Sequence, residues 1–100
     1  MEVRVEDVMP LLADARLAKI DIEGGEWALL QDERLKRGPA AIVLEFHPAG
    51  CPGTRTDEAA ERLLAEAGYG VVPPPRPFSA GEFPPGQGLR WAVRRCLLAR

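Results

Sequence analysis

The residues best suited to chemistry fall in two short stretches, "KIDIEGGEW" over 19–27 and "AIVLEFH" over 41–47. The first carries Lys19, Asp21, Glu23 and Glu26; the second ends on Glu45 and, two residues on, His47, the only histidine of the chain. An imidazole with an ordinary pKa of about 6.5 beside carboxylates takes a proton from a hydroxyl near neutral pH. Gathered carboxylates also offer oxygen ligands to a hard divalent cation such as Mg²⁺. A structural explanation competes with both. Glu23 and Glu26 complement the positive end of a helix, Lys19 pairs with an acid, and His47 merely leaves a strand. That explanation serves for any one of these residues taken alone. As a set at the ends of two strands, they read as a site.

The elements that must position them follow from pattern. "LAKIDI", 17–22, alternates as a strand, so Lys19, Asp21 and Glu23 share one face. Gly24 and Gly25 interrupt, and "EWALLQDERL" from Glu26 has helical spacing, with Trp27, Leu30 and Arg34 in line, until Gly38 and Pro39 end it. "AAIVLEFH", 40–47, is nearly continuous in hydrophobicity, which suits a parallel strand covered on both faces. Thr56 is placed to cap a helix whose first turn holds Asp57 and Glu58 and whose apolar face is Ala59, Ala60, Leu63, Leu64 and Ala67. Gly68 stops that helix, and "YGVVP", 69–73, makes a third strand. Before these elements, "VEDVMPLLAD", 5–14, has the apolar stripe of a short helix, with Asp7 as its cap.

Six of the ten prolines lie between Pro73 and Pro85, so 73–88 reads as an irregular proline-rich loop. Its PxxP is read as connection rather than as a docking peptide. "LRWAVRRCLL", 89–98, alternates Leu89, Trp91 and Val93 against Arg90, Ala92 and Arg94, a closing strand whose arginines face solvent. Trp27 and Trp91 are read as packing. The order α-β-α-β-α-β-loop-β describes one α/β domain over 1–100 with right-handed crossovers, three parallel strands and an antiparallel last one. In such a sheet ligands bind beyond the carboxyl ends of the strands, where Asp21, Glu23, Glu45 and His47 stand.

Composition narrows the function classes. The 100 residues carry 28% charged residues and a net charge of -2, with arginines mostly dispersed, which excludes an electrostatic nucleic-acid footprint. No apolar run approaches the roughly 20 residues of a membrane span, and "EVRVEDV" after Met1 lacks the signature of a signal peptide, so a cytoplasmic location is expected. Cys51 and Cys96 form no CxxC; they predict free thiols and no redox pair. His47 and Cys51 are spaced H-x-x-x-C, with no further ligands nearby for zinc.

"LAKIDIEGGEWALL", then "AIVLEFH", then "LLAEAGYGVV" together resemble the C-terminal half of the FkbM family of S-adenosylmethionine-dependent methyltransferases. Lys19, Asp21, Glu23, Gly24, Glu26, Glu45, His47 and the Gly68-Tyr69 helix exit carry the likeness, which runs from about residue 5 to the end and weakens through the proline-rich loop. The resemblance implies O-methylation of a sugar or other hydroxyl-bearing metabolite on a Rossmann-like sheet of seven strands, the last antiparallel. The four strands here look like the fourth to seventh. By the same resemblance Asp21, Glu23 and His47 are the catalytic candidates, Glu26 and Glu45 hold substrate, and loop 73–88 covers the acceptor. A divalent metal is left open.

No Gly-rich turn follows a strand near the N-terminus, so no cofactor-binding residue is assigned, and the chain is expected to be half of a catalytic domain, inactive by itself. Cutting such a sheet at its centre makes 17–22 an unprotected edge that invites self-association. The rival expectation is a non-catalytic α/β remnant or partner-dependent interaction domain.

Overall fold

The computed structural model describes residues 16–21, 24–73 and 83–98. The helix expected over 5–14, the candidate residue Glu23 and the stretch 74–82 of the proline-rich loop lie outside the described residues. In chain order the elements are β1 (Leu17–Ile20), α1 (Glu26–Leu30), a 3₁₀ helix (Glu33–Arg37), β2 (Ala41–Phe46), α2 (Thr56–Glu66), β3 (Tyr69–Val72), β4 (Gly88–Arg94) and a single helical turn, α3 (Arg95–Leu98). They build an α/β fold on one open mixed sheet, in the order β1-β2-β4-β3. β1 and β2 are parallel, while β4 runs antiparallel to both β2 and β3, so the first three strands share one direction as their helical connections require.

Register decides which side chains meet the helices. Ala18, Ile42, Ala92 and Val71 stand in one row across the sheet, and Ile20, Leu44 and Arg90 in the next. On this face Ile42 and Leu44 are sealed against Trp27 and Leu29 of α1, Leu35 of the 3₁₀ helix, and Ala60, Leu63 and Leu64 of α2. Each buried aliphatic side chain contributes roughly 1.5–3 kcal/mol relative to exposure. The opposite face carries Leu17, Lys19, Ala41, Val43, Trp91 and Val93, of which Leu17 is 58% exposed.

Several local expectations change. The helix from Glu26 ends at Leu30, because Asp32 turns extended and its Oδ1 accepts from the Arg34 backbone N–H at 2.8 Å. A short carboxylate competing for backbone donors starts a new, tighter helix here, and Leu35 rather than Arg34 enters the core. Thr56 is the first helical residue, not the cap. Arg55 holds the extended cap position without a side-chain bond, and Asp57 accepts from the Glu58 N–H at 2.9 Å. Gly68 does leave α2 in the left-handed region, at φ +97°, as expected of a residue past a helix end. The last strand ends at Arg94, and 95–98 coils into α3.

The sidedness of β4 is reversed from the sequence reading. Ala92 is buried, while Leu89, Trp91 and Val93 are half-buried on the other face. Arg90 and Arg94 lie on the helix-covered side, where long stems cover the core margin and guanidinium groups find partners. Arg90 sits 5.3 Å from the Phe46 ring centroid and pairs with Glu61 of α2 at 3.0 Å.

Candidate functional site

Lys19 pairs with Val43 and Ile20 with Leu44, so the chains leaving β1 and β2 emerge side by side at the carboxyl edge of the sheet. There Asp21, Glu45 and His47 converge: one carboxylate oxygen of each acid and a ring nitrogen of His47 all lie within 4.8 Å of one another. Asp21 is exposed, Glu45 half-buried and His47 buried. Lys19 sits on the exposed outer face of β1.

His47 is gripped by the first two residues of α1. Glu26 Oε1 accepts from the His47 backbone N–H at 2.7 Å and lies 3.1 Å from His47 Nδ1. Trp27 Nε1 donates to the His47 carbonyl at 2.8 Å. With its proton on Nδ1, the imidazole donates to this carboxylate and Nε2 is the acceptor nitrogen. The indole ring also packs on Phe46, centroids 6.3 Å apart and tilted, joining the clamp to the core.

Two glycines let the helix start come this close. Gly24 and Gly50 adopt φ +82° and +80°, and a Cβ on Gly50 would stand 3.3 Å from the Gly24 carbonyl and 3.5 Å from Trp27 Cδ1. From the other side Gln87, in the turn before β4, donates to Glu45 Oε1 at 3.0 Å and fixes that carboxylate.

The site residues read from the sequence therefore divide. Asp21, Glu45 and His47 are brought together. Glu26 is fully buried behind the imidazole, so it positions His47 instead of facing a substrate. Sequence reasoning missed the Trp27 hydrogen bond and Gln87. The first has no signal beyond Trp27 following Glu26; the second sits two positions before Leu89, which the sheet pairs with Glu45.

Compared with protein-family profiles, curated proteins and solved structures, the chain finds no match. Gly24, at φ +82°, lies against Ala49, from which a Cβ would stand 3.9 Å away. An open groove of about 540 Å³ lies between the 3₁₀ helix and α2, lined by Gln31, Asp32, Glu33, Lys36, Arg62 and Glu66, and no residue of the cluster borders it.

Proposed function

We propose that this chain supplies the acceptor side of an S-adenosylmethionine-dependent O-methyltransferase of the FkbM kind, receiving a small hydroxyl-bearing acceptor such as a sugar. One observation carries the reading: His47 is held by Glu26 and Trp27, with a ring nitrogen beside the Asp21 and Glu45 carboxylates, where parallel strands end. Asp21, Glu45 and His47 bind the acceptor hydroxyl, orient its oxygen and receive its proton. Glu26 keeps the imidazole in one tautomer and one rotamer. The antiparallel β4 agrees with the sheet that the resemblance implies. The resemblance, in which this chain corresponds to the fourth to seventh strands, assigns cofactor binding to another polypeptide segment.

The test joins this chain to the polypeptide read in frame upstream of Met1 and measures transfer of labelled methyl from S-adenosylmethionine to a panel of sugars. Transfer is expected to fall roughly 100-fold or more in His47→Ala with cofactor affinity intact. Undiminished transfer in that variant, an in-frame stop directly upstream, or micromolar cofactor binding by the 100-residue chain alone overturns the proposal.

A partner-dependent, non-catalytic domain is the second reading, favoured by β1 lying at the sheet edge with Leu17 58% exposed. On that reading the isolated chain self-associates, and Leu17→Lys makes it monomeric in sedimentation without any effect of His47→Ala.

A further inference from the structure

Glu26 holds a feature that the acceptor reading leaves unexplained. Its side chain is fully buried, and while Oε1 meets His47 twice, Oε2 has no hydrogen-bond partner among the described residues. A carboxylate removed from water with one oxygen unsatisfied is unfavourable unless a positive charge stands close by. The His47 imidazole stands beside it, with Nδ1 3.1 Å from Oε1. Two further carboxylates, Asp21 and Glu45, have donor atoms within 4.8 Å of each other and of a His47 ring nitrogen.

From this geometry we infer that Asp21, Glu45 and His47 form a binding site for a divalent first-row metal ion, with Glu26 as the carboxylate behind the ligating histidine. A buried carboxylate on Nδ1 is the usual partner of a metal-binding imidazole, because it fixes the tautomer and strengthens Nε2 as a donor. Gln87 plays the corresponding part for Glu45, to which it donates at 3.0 Å. Ligands at about 2.1 Å from an ion lie about 3.0–4.2 Å apart, so donors now within 4.8 Å close on a metal by a small rotation of the exposed Asp21 side chain. Three protein ligands leave positions open on an octahedral ion for water or a hydroxyl oxygen. The one nitrogen and two oxygens set a preference: imidazole disfavours Mg²⁺ relative to Mn²⁺, whereas a loose acidic patch takes both alike. The inference shares its residues with the acceptor site but does not require methyl transfer.

The probe is Mn²⁺ added to the full chain and followed by electron paramagnetic resonance. One ion is expected per chain, bound at least about tenfold more tightly than Mg²⁺, with paramagnetic broadening centred on His47. Asp21→Asn and Glu45→Gln each abolish the site. Glu26→Gln, which keeps the shape and touches no metal, weakens binding roughly 10–100-fold, and circular dichroism confirms that it folds. Absence of binding at millimolar Mn²⁺, equal affinity for Mg²⁺, or a folded Glu26→Gln chain with unchanged affinity overturns the inference. The two proposals also fail separately. A joined enzyme that transfers methyl groups but binds no Mn²⁺ sinks the metal site and keeps the function; a specific Mn²⁺ site in an enzyme that transfers no methyl group does the reverse.

Discussion

The two ends of the sheet each hold a charged side chain that reaches into the helix layer, and they use it in opposite ways. At the amino end of the parallel strands, Arg94 spends its guanidinium on carbonyls: Nη1 on Ala67 at 3.2 Å, Nη2 on Leu35 at 2.8 Å and on Gly38 at 3.1 Å. It stacks 4.5 Å from the centroid of Tyr69, whose hydroxyl donates to the Pro39 carbonyl at 2.6 Å. These groups close off the ends of α2 and the 3₁₀ helix. At the carboxyl end, Glu26 spends one oxygen on His47 and keeps one in surplus, and two more carboxylates gather beside the imidazole. A polar cluster whose capacity goes into carbonyls holds a fold together. One with capacity left over, maintained despite its cost, is where a ligand is expected.

Glu26→Ala is the sharpest attack on that contrast. It strips the buried His47 N–H of its acceptor and opens a cavity, so a loss of about 3–4 kcal/mol in urea unfolding is expected, a large share of a small domain's stability. Arg94→Met frees three carbonyls that are only partly buried, and about 2–3 kcal/mol is expected. Cation and acceptor binding should survive Arg94→Met in the folded fraction; loss of binding there breaks the division of labour between the ends.

Tyr69→Phe is smaller, about 1–1.5 kcal/mol for one buried hydrogen bond, and it carries a pH signature. Burial raises the Tyr69 pKa above the usual value near 10, with Arg94 acting against it. The folded state keeps the phenol protonated where the unfolded chain has begun to ionise. Its contribution is therefore fully present below about pH 10 and declines as pH rises beyond. Unfolding midpoints followed from pH 8 to 11 should fall less steeply in Tyr69→Phe; parallel curves would remove Tyr69 from the account.

These two ends were unequally legible in the sequence. The strands, the face of α2 and the gathering of Asp21, Glu45 and His47 follow from apolar period and from the rule that parallel strands end together. Arg94 was read as solvated because alternation names two faces of a strand without saying which one the helices cover. Ala92, small enough to lie under α2, decided it against the larger Leu89, Trp91 and Val93. The break at Asp32 was hidden likewise, since helical spacing counts apolar residues and gives no weight to a carboxylate that caps its own neighbour. Glu26 was assigned to substrate because its place at a helix start is visible in sequence, and its burial behind His47 is not.

The smallest effects on stability test the contrast most directly. Asp21 is exposed, and Glu45 has Gln87 as its partner while facing a second acid. Neighbouring carboxylates repel, so neither is retained for what it adds to the fold. Asp21→Asn and Glu45→Gln should each leave the unfolding free energy within about 0.5 kcal/mol of the parent, or raise it slightly, since residues kept for chemistry are often replaced without loss of stability. Thermal scans in metal-free buffer check this. A drop of about 2 kcal/mol in either variant would mean that these carboxylates are structural in the way Arg94 is. The carboxyl end of the sheet would then have no surplus to explain.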